Sequence, residues 1–371
     1  MNKKSHHDVK IAIICRFDSV SNGKKAHKTK EVLQENGFDA EIIDSPILDL
    51  SKLPLLKKIF SFVYWFYHVK RIFFNLKLLR DYPIFEEMEL RSKIMYGKIK
   101  NRFNIVICQI AEESNIFTYR LPILKIYDMP TPWVEELKYG QMYSPTYIQK
   151  LQIFEKKILS CSDWVTYAWQ TYVMYAKKYI NSNARYFICN WGSESRKRKA
   201  EYVSPPKIVF VGFIGNYWAN ISLLSSLSKI SQYQIDVYGI PEPPKEYNLH
   251  YKGPLVDETV LHKYQFGLVT ISKDRLRKHG WSFKQMDYIS SGLPILMPEW
   301  RKDKIFEGAS VYYNEFNFNK KIKEYSKKAK WTIKHKKAMQ LATKYKWKDT
   351  LLPLIKIISL HERQMIHNMN I

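Results

Sequence analysis

The stretch Gly280–Leu296, GWSFKQMDYISSGLPIL, holds residues whose types and spacing suit an anionic ligand that also bears hydroxyls. Lys284 falls in the first turn of a short helix. Its ammonium would add a full charge to the free N–H groups and partial positive charge of the helix N-terminus. Asp287 follows three residues on, one turn up the same face, where a carboxylate can accept from two adjacent hydroxyls. Ser282 and Tyr288 flank this pair, Gly292 ends the helix, and Pro294 opens the next strand. The plain alternative is a solvated lysine, a capping aspartate and a packed tyrosine.

Other candidates sit at strand ends. Gly212 and Gly215 flank the turn after the apolar run KIVFVGFIG, where glycines let a backbone approach a phosphate, although a tight turn alone also uses them. The loop Asp18–Lys25, with Gly23, occupies the matching place in the first half, and its Lys24 and Lys25 are equally well read as solvated. Asp128, in LKIYDMPTPW, falls at the carboxyl end of an expected strand, where open α/β sheets hold ligands. It is the candidate general base, able to take a proton from an acceptor hydroxyl, and Glu112, Glu113, Asp18 and His27 stand in reserve. An aspartate capping the turn before Pro130 is the alternative.

The elements that must position these residues alternate between strand and helix. VKIAIIC, a glycine-bearing loop, a helix over Ala26–Asn36 closed by Gly37, and DAEIID open a parallel α/β unit. FNIVICQI, PILKIYD, a helix over Pro145–Leu159, DWVTYAW and ARYFICN continue it. Ser193–Pro206 is charged, ends in two prolines, and reads as a linker. A second series follows: KIVFVGFIG, a helix over Ile221–Ile230, YQIDVYG, NLHYKG, a helix from Asp257, FGLVTIS, the Lys284 helix and PILMPE. The expectation is an N-terminal domain over 1–195, a C-terminal domain over 205–345, and a helix over 346–371 that crosses back.

With 371 residues the chain is too long for one ordinary core. Cys15, Cys108, Cys161 and Cys189 lie far apart without a Cys-x-x-Cys pair, which favours buried free thiols in a reducing compartment over disulfides or zinc. Met1–Lys10 is polar and five apolar residues follow, too few for a signal peptide, so a cytosolic location is expected. The net charge of +25 is concentrated: residues 51–104 have twelve Lys/Arg against four Asp/Glu, and 320–348 have twelve Lys against Glu324. Such surplus points to nucleic acid or an anionic membrane face. Leu55–Leu79 chooses between them. Lys57, Ser61, His68, Arg71 and Asn75 form one helical stripe amid Phe, Trp, Tyr, Ile and Leu, with Lys70 and Lys77 able to snorkel. A helix lying in a membrane interface is expected, with a core helix as the alternative.

In order and spacing the second half resembles the two-domain glycosyltransferases of the GT-B fold, in particular the nucleotide-binding half of family 4-type enzymes. SFKQMDYISSGLPIL resembles the Ser-x-Lys-x-x-Glu-Tyr-x-x-x-Gly-x-Pro signature and is similar to the corresponding segment of xanthan-type glucuronosyltransferases. YFICNWGSE and YKWKDT resemble the segments that end the first domain and precede the crossing helix. Two positions depart: the first acidic residue of the family's Glu-x7-Glu pair falls on His279, and the usual Arg of the first glycine loop is Phe213. The resemblance implies two Rossmann-like parallel α/β domains facing a central cleft. It implies transfer of a sugar from a nucleotide-diphosphate sugar, with Gly212, Gly215, Ser282, Lys284, Asp287 and Tyr288 binding the donor. Lys284 would meet the diphosphate and Asp287 the ribose. There is no Asp-x-Asp, so Lys284, Arg275, Arg277, Lys278 and helix termini would offset the diphosphate charge; no metal and no cofactor are expected. The expected partners are the nucleotide sugar, a lipid-linked saccharide or polysaccharide acceptor and an anionic membrane, not nucleic acid. A polyol-phosphate transferase of the teichoic acid type, or a basic nucleic-acid-binding protein, are the competing classes; no nucleic-acid-binding motif supports the latter.

Overall fold

A computed structural model describes residues 6–16, 20–45, 62–140, 143–180, 184–214, 219–302 and 304–369. Asp18, Gly215 and the first part of Leu55–Leu79, through 61, lie outside them. The chain divides into two compact units, one of Met1–Asn190 with Leu351–Ile371, the other of Trp191–Thr350.

The first unit is built on strands β1 (His6–Cys15), β2 (Phe38–Asp44), β3 (Ile105–Cys108), β4 (Leu124–Met129), β5 (Trp164–Tyr167) and β6 (Tyr186–Ile188). They form one sheet in the order β2-β1-β3-β4-β5-β6, every pair parallel. Helices cover such a sheet on both faces, which is why IVIC of β3 and IAIIC of β1 are buried without alternation. The order reverses between β1 and β3, the place where open α/β sheets hold ligands beyond the carboxyl ends. The first helix runs over Val20–Glu35, earlier than expected. Pro145–Cys161 is capped by Ser144, whose hydroxyl accepts from the Tyr147 N–H at 3.3 Å.

The second unit comprises β7 (Ile208–Phe213), β8 (Ile235–Ile240), β9 (His250–Tyr251), β10 (Phe266–Leu268), β11 (Ile295–Pro298) and β12 (Ser310–Tyr313). Its order, β12-β11-β10-β7-β8-β9, is also parallel throughout and reverses between β7 and β10. This is the doubly wound dinucleotide-fold order.

Ser193–Pro206 is not a free linker. Ser193 pairs with Lys346 in a parallel bridge and its N–H donates to the Tyr345 carbonyl at 2.6 Å. Lys199 Nζ donates to the Ser290 carbonyl at 2.7 Å, and the Ala200 N–H to the Ser291 carbonyl at 2.8 Å. The segment straps the helix Phe283–Ser290, because its basic side chains reach the carbonyls left open at that helix's C-terminus.

Candidate functional site

In the second unit the site grows from the ends of the two strands at the switch point. The helix Phe283–Ser290 starts beside them, and its capping-residue N–H, on Ser282, donates to the buried Gln285 Oε1 at 2.8 Å. That bond fixes the first turn, so Lys284 reaches back over β7. Its ammonium lies 4.3 Å from the centre of the Phe210 ring and so close to Gly212 that a Cβ there would be 2.6 Å from Nζ. Glycine at 212 is what leaves room for the cation. Among the described residues no carboxylate pairs with Lys284. Burial, with repulsion from Arg277, pushes its ammonium down to about 7. Arg277 is itself buried on the short helix Arg275–His279, capped by Asp274, whose Oδ2 lies 3.7 Å from Arg277 Nε. Arg275 and Lys278 point outward and are exposed. Lys284, held below its ordinary pKa near Arg277 at the end of β7, is suited to receive an anion.

Asp287 stands where the spacing put it, one turn beyond Lys284, but its carboxylate already has a partner. Arg196 Nη2 donates to Asp287 Oδ1 at 3.2 Å and to Glu258 Oε2 at 2.6 Å, while Nη1 donates to the Asp287 carbonyl at 3.1 Å and to the Ser291 hydroxyl. Arg196 belongs to the strap, and nothing in the sequence marks it as more than a linker residue.

Tyr288 turns into the sheet. It is fully buried; its hydroxyl accepts from the Val211 N–H at 2.9 Å and donates to the Leu268 carbonyl at 3.0 Å, tying β7 to β10. Its ring occupies the space a Cβ on Gly267 would need. Tyr288, expected among the donor-binding residues, holds the ends of β7 and β10 together. Phe213 is exposed at the end of β7. Gly292 ends the helix at φ +73°, and its carbonyl is 2.7 Å from His335 Nδ1.

In the first unit, Asp128 falls at the end of β4, with Lys25 Nζ 2.7 Å from its Oδ1; both side chains are 5% exposed. Lys25 is thus not solvated: it is the counter-ion of the candidate base. Burial pushes the Asp128 carboxyl above its usual range, against the pull of Lys25. Glu112 and Glu113 follow β3 beside the switch point; burial raises both, and at Glu113 the neighbouring Glu112 carboxylate adds to it. Glu113 is fully enclosed and Arg91 Nη1 approaches it at 4.0 Å, whereas Glu112 keeps partial exposure. Arg91 in turn grips Glu87 through Nε at 2.8 Å and Nη2 at 2.6 Å. His27 is exposed on the first helix.

Cys15, Cys108 and Cys189 are buried free thiols and Cys161 is half-buried. Among the described residues there is no group of three or more His, Cys, Asp or Glu that could hold a metal ion, and no helix long and apolar enough to cross a membrane.

Solved structures with the same two-domain architecture are glycosyltransferases. The chain aligns with the sucrose-phosphate synthase of Thermosynechococcus elongatus over 97% of its own length and 100% of that protein's, at 12% identity and a TM-score of 0.68. It aligns with a UDP-forming α,α-trehalose-phosphate synthase of Burkholderia vietnamiensis over 94% and 100%, at 10% identity and 0.55. For the pneumococcal O-GlcNAc transferase, solved with UDP and GlcNAc, the coverage is 72% and 59%, at 12% identity and 0.52. These likenesses define the fold as GT-B. No family model and no curated protein sequence matches the chain.

Proposed function

We propose that the protein is a glycosyltransferase that moves a hexosyl group from a nucleotide-diphosphate sugar to a lipid-linked saccharide or polysaccharide at the inner face of the cell membrane. The observation that supports it most is Lys284: a half-buried lysine with no carboxylate partner among the described residues, beside Arg277, at the switch point of a doubly wound sheet. The nucleotide of two structural neighbours, UDP in both, agrees with such a site.

In this reaction the bond between the sugar's anomeric carbon and the phosphate oxygen breaks, and the leaving diphosphate gains negative charge. A cation already beside that charge lowers the barrier as the charge develops. Lys284 and Arg277 supply it in place of a metal ion. Asp287, steadied by Arg196, faces the ribose hydroxyls. Gly212 keeps the end of β7 open to the phosphates. The acceptor hydroxyl must lose a proton as its oxygen bonds the anomeric carbon, which calls for a general base. Asp128 is the proposed base, since burial raises its proton affinity and Lys25 lies against its carboxylate; Glu112 is a second reading, favoured by its partial exposure. The four free thiols suit a reducing compartment.

The test is a panel of nucleotide sugars, hexuronic acid donors included because Ser282–Leu296 is similar to glucuronosyltransferase segments. Each is scored for thermal stabilisation and for slow hydrolysis, with and without EDTA. One donor should stabilise the protein and be hydrolysed, unaffected by EDTA. If no donor shifts the melting temperature, the reading fails; stabilisation by a nucleotide-activated polyol alone would move it to the polyol-phosphate class.

A further inference from the structure

The helix Phe62–Asn75 turns its apolar side outward. Trp65, Phe66, Val69, Ile72, Phe73 and Leu76 recur at helical spacing, and Trp65 is 52% exposed, Ile72 55% and Leu76 62%. Beyond the helix the chain turns back at Lys77, φ +60°, where the Leu78 N–H reaches the Phe73 carbonyl at 2.8 Å, so Leu78, 66% exposed, extends the same apolar end. The opposite side is anchored. Tyr67 packs on Leu90 beside Tyr82 and Ile94, its hydroxyl is 2.8 Å from that of Tyr82, and Tyr82 donates to Glu87 Oε2 at 2.5 Å. His68, part of the expected polar stripe, is buried on this side. Among the described residues of the expected stripe only His68 is turned inward, Asn75 being exposed, but a helix anchored through Tyr67 and His68 with its aromatic side outward is the reverse of a core helix.

Cations rim the apolar side. Lys70 bonds Glu86 at 2.5 Å and lies 4.2 Å from the Phe66 ring centre, Arg71 is half-buried, and Lys77 and Arg80 are exposed with no carboxylate partner among the described residues. Apolar side chains flanked by unneutralised cations complement one kind of surface, an acyl layer under anionic headgroups.

We propose that the outward face of Phe62–Asn75 with Leu76 and Leu78 docks onto an anionic bilayer, the ring and aliphatic side chains below the headgroups and Lys77 and Arg80 among them. This deepens the membrane part of the function proposed above and rests on it for purpose; the exposure and charge that carry it owe nothing to sugar transfer. No helix among the described residues is long and apolar enough to cross a membrane, and the proposed contact lies along its surface.

The experiment is co-sedimentation of the full chain with vesicles of phosphatidylglycerol in phosphatidylcholine and of phosphatidylcholine alone. Ile72→Glu/Leu76→Glu places two charges where apolar groups should enter; Lys77→Glu/Arg80→Glu reverses the rim. All four side chains are exposed, so melting curves should match the wild type. The wild type should prefer the anionic vesicles, the apolar variant should bind at least about tenfold more weakly, and the rim variant roughly thirtyfold, at ~1 kcal/mol per basic residue. Anionic-vesicle binding by the apolar variant at wild-type strength overturns the proposal and moves the contact to other basic surface. Equal wild-type binding to both vesicles overturns its charge component. Absence of vesicle binding, with self-association that Ile72→Glu/Leu76→Glu abolishes, overturns it in favour of a second copy of the chain. Nucleoside diphosphate affinity is measured in parallel. Vesicle binding without nucleotide binding removes the transferase reading alone, and nucleotide binding without vesicle binding removes this one alone.

Discussion

If Lys284 is the diphosphate cation, donor binding must take up a proton. The ammonium stands at about 7 in the free protein because it is buried beside Arg277 and has no carboxylate among the described residues. At pH 8 it is therefore about nine-tenths neutral by simple titration, and at pH 7 about half neutral. A diphosphate beside Nζ supplies the missing counter-charge and restores the charged form. The expected uptake is roughly 0.9 proton per donor bound at pH 8, about 0.5 at pH 7 and near 0.1 at pH 6, and affinity should fall as pH rises above about 7. Calorimetric titration in buffers of different ionisation enthalpy measures this directly. A nucleotide sugar is the better titrant than a nucleoside diphosphate, whose terminal phosphate titrates in the same range. Lys284→Met should remove the uptake and weaken binding roughly ten- to a hundredfold, the size of a charge-assisted contact of about 1.5–3 kcal/mol. The same sign acts on folding: a lysine depressed in the folded state binds fewer protons there than when unfolded, so its burial costs stability below about 7 and that cost is relieved as pH rises toward 10.5. Zero proton linkage at pH 8, or equal linkage in Lys284→Met, would refute the reasoning.

Gly212→Ala should leave the melting temperature nearly unchanged, since its Cβ meets the mobile end of Lys284, yet lower donor affinity severalfold by displacing the ammonium; titration and melting of the same variant check both. Asp128→Asn strands a buried Lys25, so a loss of about 3–5 kcal/mol in denaturant unfolding is expected. Lys25→Met/Asp128→Asn should recover part of that stability, keep donor affinity, and still lose about 10²–10⁴-fold in turnover if Asp128 is the base; turnover above about a tenth of wild type would pass the role to Glu112. Glu155, enclosed and accepting from the N–H groups of Trp133 at 3.1 Å and Val134 at 3.4 Å, is pushed up to about 7 chiefly by burial. The folded chain holds that proton more firmly than the unfolded one, so its stability term is complete below 4.5 and is lost as pH rises through about 7, on the order of 2–3 kcal/mol. Glu155→Gln should flatten that slope in melts across this range.

Local order left a clear trace in the sequence. Apolar runs such as IAIIC and IVIC, separated by helical patterns, require a parallel sheet covered on both faces, and two such series require two units. The positions of Lys284 and Asp287 on one helix face, and of Gly292 at its end, follow from spacing of a few residues, because helix geometry is local. Pairings between distant residues had no such trace. Lys25 meets Asp128 across 103 positions, and Arg196 meets Asp287 across 91, turning an expected linker into the strap that holds the site's carboxylate. Tyr288 looked like a ligand contact because its type and neighbours suit one. Strand order decided otherwise, placing its hydroxyl between β7 and β10, which are adjacent in space and far apart in the chain. The helix at Phe62–Asn75 shows the same division. Its composition made it amphipathic, but which face meets the protein was decided by the packing of Tyr67 on Leu90 and its hydroxyl against Tyr82, a contact that periodicity alone does not specify.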